Sequence, residues 1–131
     1  NRNDALSSFS SRGPGVGTAS HPLQKPDISA PGEQVRSAYP TNDSAYATLS
    51  GTSMACPAVA GLTALILSAN PSLTVDQVRE IIIKTAVTSL PAPNGGQSTC
   101  SGVSYTQVPN YHYGYGRIDA QAAVQAALKY C

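Results

Sequence analysis

A layered α/β domain is the fold class this sequence predicts, on three observations. Short extended runs broken by Pro and Gly fill residues 1–50, helical patterns take over from Thr52, and the composition is that of a folded, weakly charged chain. Its 131 residues suffice for one compact domain and not for two ordinary ones. No internal repeat or linker divides them, so residues 1–131 are expected to belong to one unit. Charged residues make up 11%, against a usual share of about 25%. A net charge of +1 without clustered Lys and Arg leaves no electrostatic footprint for nucleic acid or an anionic membrane, and neither is expected as a partner.

The first elements are strands. ALSSFSS (5–11), KPDISA (25–30), QVRSAYP (34–40) and SAYATLS (44–50) are short runs bounded by turn-forming residues. From Thr52 to about Asn70 nearly every helical face is apolar, which predicts a helix buried all round. Pro57 falls within its first turns, where a missing N–H costs least. Thr74 and Gln77 then form a capping box, with Leu73 and Val78 as its hydrophobic staple. Val75, Val78, Ile81, Ile82 and Thr85 mark the inner face of this second helix. Residues 89–112 read as a long loop with a hairpin around GVSYTQV, and Asp119 caps a last helix through Ala123, Val124, Ala127 and Leu128. The candidate strands are few for a helix that needs a sheet to lie against, so the domain reads as incomplete.

The longest apolar stretch, residues 58–69, falls short of the ~20 residues that span a bilayer, which predicts a soluble protein. The opening NRNDALSS, without Met or an apolar leader, reads as a processed end whose signal peptide is absent or removed. Of three cysteines, Cys56 reads as a small buried hydrophobe, while Cys100 and Cys131 are expected to pair, which favours an oxidising, extracellular setting. The sequon at Asn42-Asp43-Ser44 fits secretion.

Ser53 opens the question of chemistry. A serine at a helix start is usually a cap, and its hydroxyl attacks only with a base in reach and donors for the oxyanion. The helix start supplies free N–H groups and a dipole of the right sign. Four stretches decide between the two roles: GTSMACP (51–57) followed by AVAG, FSSRGP (9–14), KPDISAPG (25–32) and YGYGRIDAQAAV (113–124). In this order they resemble the subtilisin-like serine proteases, with the 89–112 loop the least matched part. The resemblance implies a three-layer α/β fold with a mainly parallel sheet, of which this chain is the C-terminal part. It implies Ser53 as nucleophile and one oxyanion donor through its N–H, with capping secondary. Leu49, Ser50, Gly51 and Thr52 would line the cleft for a polypeptide substrate.

In that family the catalytic Asp and His precede the serine, as does an Asn that donates to the oxyanion. No position here matches them. The resemblance therefore implies a complementary N-terminal fragment as partner, on a separate chain or lost. It implies no organic cofactor; calcium sites are frequent in such proteins, but no ligand cluster is assigned to this chain. Two positions depart from the common pattern, Ala58 where His is usual and Cys56 where Ser or Thr is; the latter, on the face of Ser53, would confer sensitivity to mercurials, although its plain reading is a buried small side chain. Met54, beside Ser53, is expected to lower turnover when oxidised.

The remaining candidates have plainer readings. His21 and His112 read as loop histidines, Asp27 as a carboxylate bonded to nearby backbone N–H groups, and Arg12 and Arg117 as turn and strand-end residues. Tyr111, Tyr113 and Tyr115 alternate as packed strand residues do. An α/β-hydrolase order Ser53–Asp76–His112, with Asp119 as the other acid, is opposed by Met54-Ala55, which lacks the final glycine of G-x-S-x-G. An inert half-domain is the non-enzymatic alternative.

Overall fold

The structure is a computed structural model that describes residues 1–18 and 21–130, with the side chains of Thr18, His21 and Pro22 outside the description. Three antiparallel hairpins and three helices follow one another along the chain: β1 (Gly15–Thr18) with β2 (His21–Leu23), β3 (Val35–Ala38) with β4 (Tyr46–Leu49), α1 (Thr52–Ala69), α2 (Val75–Lys84), β5 (Thr99–Cys100) with β6 (Val103–Ser104), and α3 (Ala120–Leu128). Residues 34–50 form the β3–β4 hairpin in the expected places, with Val35 opposite Leu49 and Ala38 opposite Tyr46. The 5–11 run is not a strand, and β1–β2 arises instead from a stretch that reads as breakers.

The mainly parallel sheet is not formed among the described residues. Their one parallel pairing is the bridge between Ser29 and Arg117, and Val87 joins Arg117 antiparallel on its other side. Two glycines make these close approaches possible. A Cβ on Gly114 would lie 2.3 Å from Asp27 O, and one on Gly116 2.4 Å from Val87 O; both residues also have positive φ.

The caps of α2 and α3 follow the sequence. Thr74 Oγ1 accepts from Gln77 N and Gln77 Oε1 from Thr74 N, which closes the capping box, and Asp119 Oδ1 accepts from Ala122 N at α3. Leu62 and Ile66 of α1, Leu73, Val78, Ile81 and Ile82 from the α2 region, and Ala123 and Ala127 of α3 form one buried cluster. The small α3 residues let its backbone lie close to α1, and Asn70 Nδ2 secures the far end of α3 by donating to Ala127 O and Tyr130 O. Val75, expected on the inner face of α2, is 84% exposed.

Helix α1 departs most from expectation. Only Leu62 and Ile66 are buried, whereas Leu65 and Leu67 are exposed, because the described residues supply partners for one face alone. With a mean hydropathy of 1.6 over all 18 residues, it is long and apolar enough to cross a membrane by length and composition. Pro57 lies beyond the first turn and removes the N–H that would bond to the Ser53 carbonyl.

Asp27 ties residues 25–30 to α2. Its carboxylate pairs with Lys25 Nζ and, at 2.6 Å, with Arg79 Nη2, so its partners are side chains rather than backbone N–H groups. The bond from Lys25, and after it that from Arg79, holds its pKa below the ordinary carboxylate value against an opposing pull from partial burial.

Two outcomes test this packing. Ile66→Ala should destabilise the protein by about 2–5 kcal/mol in urea unfolding, and a neutral result would mean that α1 does not seat on α3 as described. Asp27→Asn should cost about 0.5 kcal/mol near neutral pH, the partners being exposed. Because the folded pKa is lowered, the contribution is complete above the ordinary Asp value and lost as the pH falls through the lowered one. Wild type and variant should then converge in acid.

Candidate active site

The segment 49–53 leaves β4 and enters α1 at the surface. Leu49 is exposed, Ser50 Oγ accepts from Gln34 N at 2.8 Å, and Gly51 N donates to Gly32 O at 2.8 Å. Gly32 permits that approach, since a Cβ there would lie 2.6 Å from Gly51 O and 2.9 Å from Ala55 Cβ. The SAPG stretch is thus pressed against the first turn of α1. No local sequence signal marks Gly32 for this contact.

Gly51, not Ser53, is the N-cap, and no side chain caps the helix. Met54 and Ala55 N–H bond back to Gly51 O, whereas Thr52 and Ser53 N–H have no backbone acceptor among the described residues. The expected capping role of Ser53 is therefore absent. Its hydroxyl is exposed and makes no hydrogen bond among the described residues, while its N–H is open at the positive end of α1. Met54 packs beside this turn, its Sδ 3.5 Å from where a side chain on Gly51 would begin.

Cys56 is exposed rather than buried, for the reason that leaves the rest of α1 uncovered. It borders a cavity of about 300 Å³ also lined by Gly32, Gly51, Ile28, Val59 and His112. The ring of His112 is 1% exposed; Nε2 donates to Gln97 O at 3.1 Å, while Nδ1 is buried without a partner. Burial, then the Arg12 charge, lowers its pKa. No hydrogen bond joins it to Ser53, and Asp76 is exposed on α2, so the Ser53–Asp76–His112 grouping is not assembled. The side chain of His21, in β2, lies outside the described residues.

Around His112 the fold is held by a residue the sequence did not single out. Asn110, 2% exposed, accepts from His112 N and Tyr113 N through Oδ1 and donates to Tyr105 O and Gln107 O through Nδ2. An Asn-to-backbone turn was the available signal in PNYHYG. Tyr113, buried in a turn rather than a strand, accepts from Leu6 N and donates to Pro91 O through its hydroxyl. Arg12 bonds to Asn94 O and Gln97 Oε1, and Arg117 Nε stands 2.9 Å from Asp4 Oδ1 as an ion pair. Both arginines thus fasten loops.

The Cys100 thiol is free and donates to Gly13 O at 2.8 Å, while Cys131, its expected partner, lies outside the described residues. Among the described residues no three of His, Cys, Asp and Glu gather to hold a metal ion.

A family model described as the subtilase family matches residues 1–116. The chain is 37% identical to Subtilisin-like protease SBT4.13 of Arabidopsis thaliana over 95% of its own length, and 45% identical to Serine protease AprX of Bacillus subtilis strain 168 over 60% of it. In structure it resembles the CspB protease of Clostridium perfringens, with a TM-score of 0.65 and 32% identity over 94% of this chain, which supports a subtilisin-like α/β fold. It spans 17%, 20% and 23%, respectively, of the length of those three proteins. A match across both the serine segment and the stretches that pack around it is more than one short motif would give: the chain belongs to the subtilase family.

Proposed function

We propose that this chain carries the nucleophile of a serine endopeptidase, Ser53, and that a complementary N-terminal segment of the same catalytic domain supplies the base. The observation that carries the reading is the uncapped start of α1, where an unbonded hydroxyl and an open N–H belong to the same residue. Ser53 Oγ adds to the scissile carbonyl carbon while the base on the partner segment takes its proton. The resulting oxyanion is stabilised by Ser53 N–H and the positive end of α1. The amine leaves with the proton returned by the base, and water then releases the acyl group from the ester. Leu49, Ser50, Gly51 and Thr52 form the near wall of the cleft for a polypeptide substrate.

The same segment supplies the remaining strands of a mainly parallel sheet and covers α1. The exposed Leu65 and Leu67 support this, as does the share of its relatives that the chain spans. No cofactor, nucleic acid or membrane partner is part of the reading. An extracellular location is supported by the Asn42 sequon, which is exposed between β3 and β4.

The test is labelling of the whole protein with a fluorophosphonate probe. Wild type should label on Ser53, the isolated chain should not, and Ser53→Ala should lower labelling and peptide hydrolysis by about 10⁴-fold or more. Absence of labelling in the whole protein overturns the reading and favours an inert domain, while labelling of the isolated chain contradicts the need for a second segment. Oxidation of Met54 to the bulkier, polar sulfoxide should lower turnover. Peroxide should therefore inactivate wild type and spare Met54→Ala; equal losses refute this.

A further inference from the structure

We propose that Asn42, in the turn of the β3–β4 hairpin, is an acceptor for an N-linked oligosaccharide. This rests on the extracellular location proposed above, because the transfer takes place on the secretory route.

Asn42-Asp43-Ser44 is the one Asn-X-Ser/Thr triplet of the sequence in which X is not Pro. Tyr39 N donates to Ala45 O at 2.9 Å and Ala45 N to Asn42 O at 3.1 Å, which closes the turn. Within it, Asn42 Oδ1 accepts from Ser44 N at 3.1 Å and from Ser44 Oγ at 3.2 Å. The oxygen of the carboxamide is therefore engaged and the serine hydroxyl lies beside it, while Nδ2 has no hydrogen bond among the described residues. Residues 41–44 are all exposed. Every bond of the turn falls within residues 39–45, so its formation needs no distant partner.

Asn70-Pro71-Ser72 is the contrast within the same chain. Asn70 Oδ1 likewise accepts from Ser72 N at 3.2 Å and Ser72 Oγ at 2.7 Å. Its Nδ2, however, donates to Ala127 O and Tyr130 O, and Pro71 removes the triplet from the acceptor class. The two asparagines make the same turn, and only Asn42 presents its nitrogen.

In the transfer, Asn42 Nδ2 attacks C1 of the N-acetylglucosamine that ends a lipid-pyrophosphate-linked oligosaccharide. The N–C1 bond forms as the C1–O bond to the pyrophosphate breaks; the lipid pyrophosphate leaves with the electron pair, and Nδ2 gives one proton to a base of the transferase. Tyr39 and Tyr46, 43% and 59% exposed, flank the turn and offer apolar surface to the first sugars. The oligosaccharide stands clear of the serine. Three steps along the hairpin separate the Val35–Leu49 pair, next to Ser50, from the Ala38–Tyr46 pair at the turn, which is about 10 Å at the rise of an antiparallel strand.

The test is expression of the whole protein behind a secretory signal peptide in eukaryotic cells, followed by peptide-resolved mass spectrometry. The peptide with Asn42 should carry an oligosaccharide that an amide-cleaving glycosidase removes, leaving Asp, with occupancy at least about tenfold above that of the Asn70 peptide. Asn42→Asp keeps the oxygen that Ser44 bonds and lacks the nitrogen, and Ser44→Ala keeps the nitrogen and lacks the hydroxyl; both should lose the sugar. Fluorophosphonate labelling of Asn42→Asp should stay within about twofold of wild type, as for other surface substitutions. An unmodified Asn42 in the secreted wild type overturns the proposal, and so does equal occupancy in Ser44→Ala. Expression with the native leader reads location by itself. A native-leader product confined to the cell, with the signal-peptide product modified, rejects the extracellular reading and upholds the acceptor.

Discussion

The hydrogen bond from Gly51 N to Gly32 O is the contact on which the site depends. It fixes where α1 begins, because the end of the KPDISAPG segment is pulled against the first turn with no side chain between them. That single approach determines which residue is the N-cap, makes Ser53 the second residue of the helix, and sets one wall of the cavity beside it. With glycine on both sides of the bond, no cap side chain competes for the first N–H groups. An ordinary helix start would have tied up the donors that a developing negative charge needs.

Packing energies explain why the chain looks unfinished. Each fully buried Leu or Ile contributes about 1.5–3 kcal/mol relative to exposure, and α1 obtains this from Leu62 and Ile66 alone. Its other apolar side chains gain little until something covers them. The ring of His112, whose Nδ1 has no partner among the described residues, lines the cavity at the start of α1.

Much of this was legible in the residues. The three helices, the capping box at Thr74, the Asp119 cap and the β3–β4 hairpin all rest on local chemistry, which sequence carries directly. What was not legible depends on distant partners. An apolar helix announces that it wants burial and cannot announce that the described residues cover only one of its faces, so α1 and Cys56 were expected inside. The β1–β2 hairpin was hidden because GPGVGTAS has the composition of a loop. Gly32 and Asn110 were missed because a close approach, or a polar side chain that satisfies four backbone groups, is defined by what lies opposite it. At the site, the sequence pointed to Ser53 but could not say that its hydroxyl would be left without a partner.

The apolar length of α1 has a consequence for how such a protein is made. To the machinery that sorts nascent chains, eighteen residues with a mean hydropathy of 1.6 are close to what an anchor offers. Chaperones and translocation channels read that property before any tertiary contact exists. Such a stretch is shielded only once it docks, so substitutions that slow its covering would leave it exposed for longer during folding.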